Sequence, residues 1–403
     1  MDVDHYRYVV VGGGVAGGRA VEVLTRGKEP TALVSAEPVL PYSRPPLSKG
    51  VLRGEVSFSD IALRSRDYYQ AKGVDLVLGD TGVHLDTDLQ RVALESGRFV
   101  SYDKLLLATG AEPVKLAVPG GQLGGVHYFR TIDDAHRLKD WIAAEGDRDI
   151  VVIGGGFVGC EIASALRAQG RRIHLVEAAN GLMVRALGHD VGELMAQRHR
   201  EAGVSVHLEA KVTQISGKER ARSVVLSNGV ELACDAVVVG IGAVPSVTWL
   251  ESSKLKLSDG VVVDEYATTS AANVFAAGDA ARSWSPSLQR FIRVEHESNA
   301  LNQAVTAARN MLGGSAIHDQ IPYVWSEQYD MDIWCLGVLE GYDEVDLTAD
   351  KDRWEIMAVY YCQGTPTAAL GINVPDLLAP TRHLFQARTP FTVSDLAAAQ
   401  QRT

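Results

Sequence analysis

One glycine pattern occurs twice in this 403-residue chain, and no other feature limits its fold as tightly. "YVVVGGGVAGGRAVEVLTRG" starts at Tyr8 and "IVVIGGGFVGCEIASALRAQG" at Ile150. Each copy runs from a β-branched segment suited to a buried parallel strand, through G-x-G-x-x-G, into an alanine-rich segment with helical spacing. Such a turn lets the backbone approach a pyrophosphate, and the N-terminus of the following helix meets its charge. One copy alone is a weak signal. Two copies, each after a strand and before a helix, predict two dinucleotide-binding units. The candidate contacts are Gly12, Gly14, Ala16 and Gly17 in the first, and Gly154, Gly156, Phe157, Val158 and Gly159 in the second.

A dinucleotide unit of this kind carries an acid for the ribose hydroxyls at the end of its second strand, about twenty residues past the first glycine. "RIHLVEA" puts Glu177 there, and a carboxylate repels a 2'-phosphate, so NADH is expected over NADPH; Arg185 nearby works against that preference. In the first copy "TALVSAEP" has Ala36 at the expected place and the acid one step on, so Glu37 is either a ribose ligand or a solvated side chain. "LLLATGAEPVKL" and "AVVVGIGAVPSV" read as matching closing strands, stopped by glycine and proline beside the cofactor, with Ala108, Thr109 and Gly110 in one and Gly240, Ile241 and Gly242 in the other. "NVFAAGDAA" delivers Asp279 beside Gly278, where a carboxylate can accept hydrogen bonds from a polyol.

Composition narrows the classes. With 46% hydrophobic residues the chain has material for two or three cores, and a formal net charge of -11 repels nucleic acid and anionic membrane. No apolar run reaches the 18 or so residues of a membrane span, and the N-terminus reads as a strand, so a cytoplasmic protein is expected. The cysteines, Cys160, Cys234, Cys335 and Cys362, are too scattered for a zinc site or a redox pair and are expected to be buried packing residues. The 11 histidines show no metal-ligand spacing, so no metal is expected. "IDDAH" reads as the start of a helix with acids on its N-terminal dipole.

"LPYSRPPLSKG", Leu40 to Gly50, is rigid, basic and aromatic at once. Together with "LLLATGAEP", "RTIDDAHRL", "VIGGGFVGCEIA", "VFAAGDAA", "VEHESNALNQA", "WSEQYD" and "FTVSDLA", it makes nearly the whole chain resemble the NADH-dependent ferredoxin and rubredoxin reductases. These are flavoproteins with two dinucleotide-binding domains, in a branch that also holds monodehydroascorbate reductase and apoptosis-inducing factor. The resemblance implies an α/β fold with two Rossmann-like domains of the glutathione-reductase kind and a C-terminal α+β interface domain. The FAD domain would comprise residues 1–112 and 248–320, the NAD domain 113–247 and the interface domain 321–403.

It also implies roles. Arg44 would meet the FAD pyrophosphate, and Lys49, held by Pro45 and Pro46, would stand beside the reactive face of the flavin and pair with Glu161 to align the nicotinamide. For Glu161 the plain alternative is an acid favoured by its helix dipole. Trp325 resembles the aromatic that packs near the flavin where electrons leave. Arg130, Glu295, His296 and Ala300 fall in matching segments, with the helix in "ESNALNQAVTAARNML" aimed by its N-terminus at the flavin. Glu297 departs from the pattern, because many relatives carry Trp there.

The expected reaction is hydride transfer from NADH to flavin N5, then single electrons to a [2Fe–2S] ferredoxin or a rubredoxin serving an oxygenase such as a cytochrome P450. The cysteine pattern disfavours a thiol mechanism, since no CxxxxC, CxxC or loop cysteine is present. Two alternatives remain: an NADH-dependent reductase of a small acceptor (oxygen, a quinone or a radical), and an NADH-responsive redox sensor like apoptosis-inducing factor. Arg282, Arg290 and Arg293, in the acid-free stretch "ARSWSPSLQRFIR", form a candidate docking patch for an acidic ferredoxin. A monomer or weak homodimer is expected.

Overall fold

The computed structural model describes residues 3–145, 149–387 and 389–400. They fall into two compact units, one of residues 1–45, 57–112 and 243–320, the other of residues 46–56, 113–242 and 321–403.

The first unit is built on the first glycine copy. Val9, Val10 and Val11 are almost completely buried in the strand Val3–Val11, which pairs in parallel with Thr31–Ser35 on one side and Phe99–Leu107 on the other. The run is apolar on every residue because both faces of this central strand are covered. Val74–Leu78 extends the sheet beyond Thr31–Ser35, and Val274–Ala276 joins beside Phe99–Leu107. The helix Val15–Leu24 follows the turn and packs, through Ala16 and Ala20, into the same core as Ala300, Ala304, Ala307 and Ala308 of the helix Glu297–Met311. Small residues on both helices permit that close approach. Burial of Leu105, Leu106 and Leu107, each fully inaccessible, contributes roughly 2 kcal/mol per residue.

The second unit repeats the plan. Asp149–Ile153 lies between Arg172–Val176 and Ala236–Val239 in a five-stranded parallel sheet, and the helix Phe157–Ala168 follows the second glycine turn. The stretch "IDDAH" does open a helix, Ile132–Glu145, with Asp133 and Asp134 in its first turn. A five-stranded antiparallel sheet from Tyr323–Gln328 to Thr365–Ile372 carries the helices Leu378–Ala387 and Val393–Gln400 after it.

Three cysteines are buried as expected. Cys362 is a correction, because it is only half-buried. It ends the strand Glu355–Cys362 and pairs with Thr365 across the hairpin turn, at the end of the ladder rather than inside it. No helix among the described residues is long and apolar enough to cross a membrane, and no group of three or more His, Cys, Asp or Glu among them could hold a metal ion.

Candidate active site

The two glycine turns have the same internal logic. A Cβ on Gly12 would lie 2.0 Å from the Ala108 carbonyl oxygen, and one on Gly154 2.3 Å from that of Gly240, so each turn is pressed against its own closing strand. A Cβ on Gly17 or Gly159 would meet the carbonyl oxygen of Gly12 or Gly154 at 1.8 and 1.9 Å. Packing inside the protein therefore explains the first and third glycines. The middle ones are different, because a Cβ on Gly14 or Gly156 would find no protein atom within 4 Å. Both have ordinary backbone angles, φ near -80, as N-caps of their helices. A glycine there leaves open space of the kind a pyrophosphate would need, and the residues fit a dinucleotide in each unit.

Around the first turn, the structure brings together residues far apart in sequence. Gly278 sits against Ala16 and Ala300, at 3.3 and 3.5 Å from where its own Cβ would be, and its N–H donates to Gln303 Oε1 at 2.9 Å. Asp279 follows in a single 3-10 turn, Gly278–Ala280. Thr109 donates its hydroxyl to the Ser246 carbonyl at 2.9 Å. Glu37, two residues past the strand Thr31–Ser35, accepts from Tyr42 and from Arg44, each at 2.6 Å, and the Arg44 guanidinium stands 5.3 Å from the Tyr42 ring centre. Glu297 accepts the Ser43 hydroxyl at 2.6 Å and so ties the basic loop to the start of the helix. His296 caps that helix, and desolvation pushes its imidazole down to about 4, which keeps it neutral near pH 7.

The arginine stretch is less exposed in charge than its sequence suggests. Arg293 is largely covered, ion-paired with Asp259 at 3.1 Å and also with Glu295, while Arg282 donates to Ser258 Oγ at 2.9 Å. The acids that meet Arg293 lie outside the stretch in sequence, and its charge is partly neutralised.

In the second unit, Glu177 follows the strand Arg172–Val176, and its carboxylate accepts the N–H groups of Gly155 at 2.6 Å and Ala179 at 2.7 Å. This fixes its orientation at the glycine turn. Arg185 lies exposed on the short helix Val184–Leu187. Val158 and Ile241 are 40% and 38% exposed, an apolar surface at the same turn. Arg130 precedes the helix Ile132–Glu145 and donates its N–H to Asp134 at 3.1 Å.

The same unit holds the most unusual polar group. Pro45–Ser48 forms a 3-10 turn, Lys49 leaves it, and Gly50–Arg53 forms a short helix. Lys49 Nζ lies 2.8 Å from Glu161 Oε1, with both side chains 7% exposed. Glu161 Oε1 also accepts from Ser326 Oγ at 2.6 Å, and its Oε2 from Ser48 Oγ at 2.5 Å. Desolvating two charges costs several kcal/mol per ion, and such a pair persists where extra hydrogen bonds satisfy the carboxylate, as the two serines do here. Lys49 Nζ stands 4.9 Å from the Trp325 ring centre, within cation–π range. Glu161 lies beyond the first turn of its helix, which carries no acid, and its side chain is buried.

Sequence reasoning did not single out Ser48, Ser326, Gln328 or His199. Ser326 and Gln328 alternate along one strand, so they share a face, and both are buried there. That alternation of polar residues was the available signal. His199, within the charged run "QRHRE", carries none.

Residues 6–310 match the family described as pyridine nucleotide-disulphide oxidoreductase, and residues 323–403 the reductase C-terminal family. Rhodocoxin reductase of Rhodococcus erythropolis is 35% identical over 96% of this chain and 91% of its own. Rubredoxin-NAD(+) reductase of Pseudomonas putida is 34% identical over 91% and 96%. A crystal structure of a covalent putidaredoxin reductase–putidaredoxin complex superposes with a TM-score of 0.91 at 30% identity, covering 98% of this chain and 96% of that one.

Proposed function

Because the chain belongs to the pyridine nucleotide-disulphide oxidoreductases and carries a reductase C-terminal domain, we propose that it is an NADH-dependent, FAD-containing reductase of a [2Fe–2S] ferredoxin or a rubredoxin. The electrons would serve an oxygenase. The disulphide chemistry in the family's description does not carry over, since all four cysteines are free and three of them, Cys160, Cys234 and Cys335, are buried with their thiols pushed upward by desolvation, which leaves Cys362 without an accessible cysteine to pair with.

In this proposal residues 1–112 and 248–320 hold FAD, through Gly12, Gly14, Gly17 and Asp279. Residues 113–247 hold NADH, through Gly154, Gly156 and Gly159 with Glu177 at the ribose, and residues 321–403 form the interface domain. Bound FAD supplies the conversion of a two-electron hydride into single electrons. The chain's own contribution at the reacting centre is positional. Pro45 and Pro46 limit the loop's freedom, so Lys49 is held without ordering at each turnover. Glu161 balances the lysine's charge where water is excluded, and Ser48 and Ser326 fix the carboxylate.

The observation that carries this reading is the buried Lys49–Glu161 pair, which joins the basic loop to the helix that follows the second glycine turn. An anaerobic titration of the purified protein with NADH, and in parallel with NADPH, tests it through the visible absorption. Rapid bleaching of a yellow protein by NADH, slow bleaching by NADPH and reoxidation by added ferredoxin or rubredoxin are expected. A yellow protein that neither nucleotide bleaches overturns it. The proposal includes a cytoplasmic setting, which cell fractionation would check.

A further inference from the structure

Gln328 ends the strand Tyr323–Gln328 and is 1% exposed, in contact with three polar partners. Its Nε2 lies 3.2 Å from Ser326 Oγ and 3.5 Å from Met183 Sδ, and its Oε1 lies 3.1 Å from His199 Nε2. His199, fully buried on the helix His189–Glu201, places its other ring nitrogen 2.8 Å from the Tyr329 hydroxyl. Each of these groups lies in the same unit as the Lys49–Glu161 pair.

The direction of every bond follows from the carboxylate outward. Glu161 can only accept, so the Ser326 hydroxyl donates to it, and Ser326 Oγ is left to accept from Gln328. That turns the Gln328 amide so that its oxygen faces His199. An amide oxygen cannot donate, so His199 carries its proton on Nε2. Nδ1 then accepts from Tyr329. Burial holds the imidazole neutral, lowering it to about 4, in keeping with a ring that has one N–H. Tyr329, His199, Gln328 and Ser326 thus form one chain of hydrogen bonds, each polarising the next toward Glu161.

A second branch leads to the nucleotide turn. Met183, which accepts the other Gln328 N–H through sulfur, donates its own N–H to the Gly155 carbonyl at 2.7 Å, and the Gly155 N–H donates to Glu177. Gln328 is the residue where the two branches meet.

We propose that Gln328 is a positioning residue for the Lys49–Glu161 pair, orienting it through Ser326 and coupling it to the second glycine turn through Met183, with His199 fixing the amide. The inference rests on the role just proposed for Lys49 and Glu161. Replacing the amide leaves the His199 N–H buried without an acceptor and lets the Ser326 hydroxyl rotate away from Glu161. The pair then loses its orientation while the nucleotide contacts at Gly156 and Glu177 remain.

Two measurements on the full-length, FAD-loaded protein test it. The first is nitrogen NMR of histidine-labelled protein, assigned with His199→Gln. A neutral His199 protonated on Nε2 is expected, and a proton on Nδ1 overturns the chain. The second is anaerobic single-turnover reduction by NADH. Gln328→Met should slow the rate at saturating NADH about tenfold, the worth of one lost buried hydrogen bond, with the NADH Kd changed less than about twofold. His199→Gln, which keeps an N–H donor, should stay near wild type, whereas His199→Leu should fall with Gln328→Met. An unchanged rate in Gln328→Met, or equal losses in His199→Gln and His199→Leu, overturns the proposal. A wild-type protein that NADH does not reduce refutes the functional reading, and the NMR result then decides the geometry alone.

Discussion

Replacing Gly156 and Gly159 separately by alanine discriminates packing from binding at the second glycine turn. At Gly156 the new Cβ meets no protein atom within 4 Å and φ is -79, a conformation open to alanine. The loss of a favourable N-cap residue and the stiffening of the unfolded chain act in opposite directions, so stability should change by less than about 1 kcal/mol. At Gly159 the Cβ would lie 1.9 Å from the Gly154 carbonyl oxygen, against the 3.4 Å at which ordinary contact begins. The obstacle is backbone, so the turn and helix must separate, at a cost of about 3 kcal/mol or more. Ligand binding reverses the order of informativeness. In Gly156→Ala the methyl group occupies the space through which the pyrophosphate approaches, and the NADH Kd should rise about 10- to 100-fold, or roughly 1.4 to 2.8 kcal/mol. Thermal unfolding reports the first effect and anaerobic NADH titration the second, with flavin content as a control because the first turn is untouched. A Gly156→Ala protein that unfolds like wild type and binds NADH as tightly would refute the placement of the nucleotide. The same logic at Gly14 predicts a folded protein purified with less flavin.

Lys49→Met should destabilise the second unit by about 3 to 5 kcal/mol, because it leaves the Glu161 carboxylate buried without its cation. Hydrogen exchange of the helix Phe157–Ala168 would read this, and adding Glu161→Leu should recover part of the loss; no recovery would mean that the charge is not the cause. Glu177→Ser should raise NADPH use relative to NADH, and an unchanged ratio of kcat/KM values would move the ribose elsewhere. Acid should weaken the fold through His127, His199, His296 and His318, each lowered from 6.5 to about 4, chiefly by desolvation. Between these values the unfolded chain binds protons that the folded one does not, so stability is intact above about pH 6.5 and is lost as pH falls toward 4. For the two most buried, His199 and His318, the contribution is on the order of 3 kcal/mol each. Equilibrium unfolding at stepped pH checks the slope, and His199→Gln should flatten it.

The doubled glycine pattern, the apolar strands before it and the acid at Glu177 were legible in the chain because they are local. Strand, turn and helix lie within about twenty residues, and each obeys a periodicity or a steric rule that neighbouring residues express. The basic loop and "WSEQYD" were legible through resemblance. What the linear order could not express is which distant groups share a buried environment. Lys49 and Ser326 lie in segments far from Glu161 in the chain, and only folding makes its carboxylate the acceptor for both. His199 sits in a run of charges that reads as a solvated helix face, yet it is fully buried with its tautomer set by Gln328. Arg293 stands in an acid-free stretch, yet Asp259 reaches it from another strand connection. The sequence by itself determined the two dinucleotide units, since backbone conformation and strand burial are short-range properties of residue type. Tertiary structure alone decided which charges are paired and which polar groups direct their protons toward Glu161, because hydrogen bonding and desolvation depend on distance in space.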